Sequence, residues 1–274
     1  MSHLPHANTV HFDDRPSPAA AHVKRGISVP WNFDPKHFAL YKQAIDAGKI
    51  SWLFNWELWK PDGLPLTIIY VPQCRTGKEI EQVLPRLTKY LKDDQVQHFI
   101  GFNEPCINAQ ANLSVDEAIE LWKKYVLPMK DQCPGVLIGS PSIANGKHGL
   151  PWLVSFISNL GGIQASGIDH IVLHVYDRTS DGFKNHVEEI YNAFGLPIWV
   201  TEFACTSWDR ENPISEEDVL EFMRETVRFL EETDYVERYA WFGAMEDVGE
   251  DMGRANGLQR GNSLTEAGKL YLSL

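Results

Sequence analysis

Glu104 stands in the string Gly101-Phe102-Asn103-Glu104-Pro105 and Glu202 in Trp199-Val200-Thr201-Glu202-Phe203-Ala204. Each follows a short hydrophobic, β-branched or aromatic run, so each is expected at the C-terminal tip of a strand. Two facing carboxyl groups are the machinery for cleaving a glycosidic bond. One, protonated, donates to the leaving oxygen; the other, ionised, attacks the anomeric carbon or directs water onto it. A separation of about 5 Å goes with retention of configuration and roughly 6.5 to 9.5 Å with inversion. A single glutamate at a strand end is more often a solvated loop residue, and the weight lies in the pair.

Residues so far apart in sequence meet only if the fold gathers strand tips on one face. Short apolar runs alternate here with stretches of helical period, the pattern of repeated βα units and a parallel sheet. Eight strands are expected: Arg25–Trp31, Ile50–Trp56, Leu66–Pro72, His98–Asn103, Val136–Pro141, His170–Tyr176, Pro197–Glu202 and Tyr239–Met245. Ser114 with Glu117 and Ser215 with Asp218 have the spacing of capping boxes. Leu150–Leu160, Phe183–Phe194 and Thr265–Leu272 have helical spacing, as does Glu79–Leu91, where Pro85 predicts a kink. Between the second and third strands Pro61, Gly63 and Pro65 leave no room for a regular helix. The expectation is an α/β fold, a single-domain (β/α)8 TIM barrel over residues 25–274, with its site at the C-terminal ends of the strands. No GxGxxG or GxxxxGK[ST] turn supplies a phosphate cradle, and no GxSxG elbow supplies a serine nucleophile.

At 274 residues the chain has the length of one such barrel, and its 43% hydrophobic and 23% charged residues are ordinary for a soluble protein. No apolar run approaches the roughly 18 residues of a membrane span. The net charge of -12 argues against nucleic acid, which is bound by clustered Lys and Arg, and permits a neutral polymer. Cys74, Cys106, Cys133 and Cys205 lack the spacing of a zinc site. A Cys74–Cys106 disulfide is geometrically open, against two free thiols. His170 and His174, four residues apart on one strand, differ in depth and do not make a metal pair. Residues 1–24, rich in His, Pro, Ala and Asp, are expected to be a flexible leader without the layout of a signal peptide.

Asn103 precedes Glu104, and since neighbouring strand residues point to opposite faces, both reach one cleft only where the strand bends. Asn-Glu-Pro ending the fourth strand, Glu202 ending the seventh, His174-Val175-Tyr176 on the sixth and Trp241 on the eighth resemble the clan A retaining glycosidases. The stretch from about Lys24 to Leu274 resembles glycoside hydrolase family 128, whose members are β-1,3-glucanases. The resemblance implies Glu104 as acid/base, Glu202 as nucleophile, Asn103 as a ligand of the hydroxyl beside the reacting carbon, and a Tyr176 hydrogen bond to the nucleophile. No cofactor and no metal are expected. A hydrogen bond from Tyr176 is expected to favour the charged form of Glu202, and burial to keep Glu104 neutral.

Trp56, Trp208 and Trp241, then Trp31 and Trp59, are the candidates for stacking on sugar rings, with Asn55, Glu57 and Asp209 for hydroxyls. Trp52, Trp122, Trp152 and Trp199 have periodic apolar neighbours and read as packing. His174 fits either a packed core position or the site. The expected partner is a β-glucan polysaccharide or oligosaccharide, met by a monomer outside the cell or in the cell wall. The alternative is a barrel that binds glucan without cutting it, although such proteins usually lack one of the two carboxylates.

Overall fold

The computed structural model describes residues 23–90, 96–209, 211–245, 247–249 and 252–274. The expected leader, except its last two residues, and Leu91 lie outside the described residues. Among the described residues nine strands carry the fold: β1 Arg25–Ser28, β2 Trp52–Phe54, β3 Ile69–Tyr70, β4 His98–Ile100, β5 Leu137–Gly139, β6 Ile143–Ala144, β7 Ile171–Asp177, β8 Ile198–Cys205 and β9 Val236–Trp241. A further small hairpin pairs Gln259–Arg260 with Ser263–Leu264. The expected fifth strand, Val136–Pro141, is found as the shorter β5, and β6 is a further short strand beyond Pro141, which has no N–H to give a ladder. The last strand starts at Val236, earlier than its run of apolar residues suggested, because Glu237 is exposed within it.

The fold is a mixed α/β one. Seven parallel strands join in the order β3-β2-β1-β9-β8-β7-β6, and β4 pairs with β5, also in parallel. Isolated parallel bridges link Gln73 to Ile100, Asn103 to Ser142 and Gly139 to His170. As expected, no helix separates β2 from β3. Among the described residues no helix is long and apolar enough to cross a membrane.

Both capping boxes form. The Ser114 hydroxyl accepts from the Glu117 N–H and opens helix Val115–Leu121, and Ser215 does the same with Asp218 ahead of helix Glu216–Glu232. The expected kink at Pro85 is replaced by a change of helix type: a 3-10 turn, Gly77–Gln82, gives way to an α-helix at Val83. Pro85 thereby falls in the first α turn, where its missing N–H costs little.

Alternation along the strands sorts two cores. Trp52, Phe54, Val71, Ile100, Val172, Trp199 and Ala240 form a small cluster drawn from β2, β4, β7, β8, β9 and the end of β3. Ile27, Leu53, Phe99, Leu173, Val200 and Tyr239 point the other way, into the larger core under the helices. Gly26 faces Trp52 across the first pair, and a Cβ there would sit 2.3 Å from the indole, so only glycine lets the ring cross β1.

Beneath the small cluster the His170 ring stacks on Trp199 at 4.1 Å, with His98 5.7 Å away and Arg238 on Trp199 at 5.0 Å. Burial, then the positive neighbours His98, Arg238 and Lys130, hold the His170 pKa well below the usual histidine value. The unfolded chain therefore binds this proton first. Stability is complete above about pH 6.5 and declines as pH falls, by at most about 1.4 kcal/mol per unit. His170→Gln is expected to flatten that decline in thermal unfolding between pH 7 and 5; an unchanged slope would clear His170 of the effect.

Candidate active site

Two backbone irregularities bring the carboxylates together. On β7, Val172, His174 and Tyr176 share one face, and on β8 strict alternation from Trp199 would turn Thr201 and Phe203 toward it. A register shift beyond Leu173 instead sets His174 opposite Glu202, leaving Thr201 as the extra residue. Glu202 gains the site face, and Phe203 packs behind against Trp241 and Phe183. On the opposite side Glu104 has a left-handed backbone, φ 45°, while Asn103 bridges Ser142. That unusual conformation, about 1–3 kcal/mol of strain, lets two consecutive residues face one cleft.

His174 lies between the carboxylates. Its Nδ1 is 2.8 Å from Glu104 Oε1, and its Nε2 is 3.2 Å from Glu202 Oε1 but off the line of a good hydrogen bond. Tyr176 donates to Glu202 Oε2 and the Trp56 indole N–H to Oε1 at 2.6 Å. All three ionisable groups are buried, Glu104 at 6%, Glu202 at 5% and His174 at 0% exposure. One oxygen of each glutamate and one ring nitrogen lie within 4.8 Å of one another. Among the described residues this grouping is compact enough to hold a metal ion, although His174 Nδ1 is already engaged with Glu104.

Burial raises the Glu202 pKa above the usual carboxylate value and Glu104 adds to it, against the opposing pull of His174, Tyr176 and Trp56. The Tyr176 hydrogen bond favours the charged form of Glu202, as expected, but burial outweighs it. For His174 burial works against the charge, yet the Glu202 and Glu104 carboxylates outweigh it and its pKa is raised.

The glutamates open into a cavity of about 1030 Å³. Of the expected residues, Asn103, Tyr176, Trp56, Asn55 and Trp208 line it, as do Trp31, Glu57 and Asp209; His174 sits behind the carboxylates. Trp31 and Trp208 are the open indoles, 62% and 66% exposed. Trp59 is half-buried outside the cavity, its carbonyl accepting from Tyr70 and Asn55. Trp241 does not line the cleft. It is wholly buried and its Nε1 donates to the Asn256 carbonyl, because alternation from Ala240 turns it into the outer core. The next residue, Phe242, takes the cleft position, edge-on to Trp56 and Tyr176.

Other residues hold the site from behind. Gln73 Nε2 donates to Asn103 Oδ1 and Ser142 Oγ. The Asn145 amide pairs with both the N–H and the carbonyl of Tyr176. Each stands just past a strand tip, the one signal that would have marked it. No bridge joins Cys74 to Cys106: both thiols are free, and Cys74 Sγ is turned to the Thr76 carbonyl.

Alkali-sensitive linkage protein 1 of Schizosaccharomyces pombe is 31% identical over 226 residues, 82% of this chain and 40% of that protein. The chain thus spans about two fifths of the curated relative it matches. A curdlan-specific exo-β-1,3-glucanase of glycoside hydrolase family 128, subgroup III, from Blastomyces gilchristii, solved with glucose, is 27% identical with a TM-score of 0.74, covering 93% of this chain and 100% of that one. A subgroup V exo-β-1,3-glucanase from Cryptococcus neoformans is 28% identical with a TM-score of 0.74, over 91% and 98%. A subgroup I endo-β-1,3-glucanase mutant from Amycolatopsis mediterranei, solved with laminaripentaose, is 25% identical with a TM-score of 0.72, over 92% and 99%. Residues 29–271, from just past β1 into the C-terminal helix, match the glycosyl hydrolase catalytic core, and the chain therefore belongs to that family.

Proposed function

We propose that the protein hydrolyses β-1,3-glucan of the laminarin and curdlan type with retention of configuration, acting within the polymer. The observation that carries the mechanism is the buried Glu104–His174–Glu202 cluster, with carboxylate oxygens within 4.8 Å of each other. Such a close approach of one oxygen from each supports a nucleophile and an acid/base, since inversion needs room for an intervening water. A Glu202 oxygen attacks the anomeric carbon as the Glu104 proton passes to the departing sugar oxygen, giving a glycosyl ester. Glu104 then takes a proton from water, whose oxygen displaces Glu202. Asn103 binds the neighbouring hydroxyl, Tyr176 holds the nucleophile, His174 balances the two carboxylates, and Trp208 contributes to a sugar subsite.

The linkage is carried over from the family 128 structures, which include enzymes described as endo and exo β-1,3-glucanases. Internal attack is favoured by a cavity at the upper end of the ~300–1,000 Å³ usual for ligand sites, with open tryptophans at its rim. A closed (β/α)8 barrel is part of the same reading. It is supported by the bridges of Gln73 to Ile100 and Gly139 to His170, and by the packing of β4 with β8 and β9 residues in the small cluster. A monomer at the cell surface or in the wall fits a polymeric substrate.

The test is a time course of products from laminarin, curdlan and defined β-1,3-gluco-oligosaccharides beside a β-1,4-glucan. Mixed oligomers from the β-1,3 substrates are expected early. A single short product would make the action exo, and binding without release would overturn the proposal in favour of a glucan-binding protein.

A further inference from the structure

Trp56 lines the cavity, but its polar edge is turned to a carboxylate of the site. Its indole N–H meets Glu202 Oε1 at 2.6 Å, while Tyr176 meets Oε2, so donors from the β2 tip and from β7 hold the two oxygens of one carboxylate. The ring is fixed edge-on by Phe54 at 4.9 Å and Phe242 at 5.9 Å. The backbone is specialised as well. Trp56 has φ 59°, a left-handed conformation that a bulky aromatic side chain rarely adopts. Asn55 fastens the turn around it, accepting from the Glu57 N–H at 3.3 Å and the Tyr70 hydroxyl at 3.0 Å and donating to the Trp59 carbonyl at 3.1 Å. A stacking platform needs an open face and no such device; Trp31 and Trp208 have the open faces.

We infer that Trp56 is a positioning residue for the nucleophile, whose N–H fixes the Glu202 carboxylate and favours its ionised form, and not a sugar-stacking surface. The inference rests on the reading of Glu202 as nucleophile. The bond strengthens as charge returns to the carboxylate when the glycosyl ester breaks, and in the first step it acts by keeping the carboxylate ionised and in line, so its loss slows turnover without loosening ground-state binding of sugar.

Two replacements isolate the N–H: Trp56→Phe, and β-(3-benzothienyl)alanine at position 56, which keeps the shape of the indole and puts sulfur where the N–H was. With either, kcat on laminari-oligosaccharides is expected to fall about tenfold to a hundredfold, the loss of one hydrogen bond to a charged group, with KM within about twofold. The acidic limb of kcat/KM moves to higher pH, and so does the titration of the Glu202 carboxyl followed by 13C NMR without substrate. Wild-type kcat and an unmoved titration in both variants, with a raised KM in Trp56→Ala, would make Trp56 a stacking surface. If the wild-type protein cleaves no glucan, the functional reading fails, and the NMR titration still decides whether Trp56 holds Glu202.

Discussion

Glu202→Gln is expected to lower turnover of β-1,3-glucan by on the order of 10⁴-fold or more while laminari-oligosaccharides still bind with nearly unchanged affinity. The amide matches the carboxylate in shape and keeps an oxygen for the Trp56 N–H, so the cleft survives; what disappears is the proposed nucleophile. Glu104→Gln separates the roles. Without its proton the departure of a sugar alkoxide stalls, but an aryl glycoside with an acidic phenol leaves unaided. The variant is therefore expected to lose polysaccharide cleavage and to keep a first-step burst on the activated substrate, stalling at the glycosyl ester. Calorimetry on the first variant and burst kinetics on the second give the two readings. A Glu202→Gln protein that keeps the wild-type rate would remove the nucleophile from this mechanism. Equal damage on both substrates in Glu104→Gln would remove the acid.

The residue types at the strand tips were readable because the chemistry demands them: two glutamates, an asparagine and a tyrosine each end a run of strand-forming residues. The strands themselves were legible for the same reason, their apolar runs being separated by capped helices. Which way a side chain faces was less accessible. Trp241 sits as close to the tip of β9 as Phe242 does, and only parity from Ala240 decides that Phe242 enters the cleft. Glu202 owes its orientation to one extra residue, Thr201, which alternation alone would have turned inward in its place. Glu104 and Trp56 rely on left-handed backbone that no propensity favours for their residue types. Gln73 and Asn145 are single polar residues in loops without periodic neighbours, and their work appears only when the strands they buttress are in place.

His174→Ala is expected to cut activity by about 10² to 10³-fold and to narrow it on the acid side, an effect traceable to charge. In the native cluster the imidazole is the main group lowering the Glu202 pKa against burial and Glu104. Removing it raises that pKa further, so the fraction of ionised nucleophile falls at a pH where the wild type is still active, and the acidic limb of kcat/KM moves upward. Stability changes with the opposite slope. A histidine whose folded pKa is raised contributes stabilisation that is complete below about pH 6.5 and is lost as pH rises through the folded value. The variant lacks this term and leaves two buried carboxylates without their cation. It should be less stable by about 3 to 5 kcal/mol under mildly acidic conditions, with a smaller deficit at high pH, where the wild-type imidazole has lost its charge. His174→Gln, which restores a hydrogen bond to Glu104 but no charge, should recover part of the stability and none of the pH shift. Thermal unfolding and pH profiles on the two variants check this. An acidic limb that stays in place in both would reduce His174 to a packed core residue.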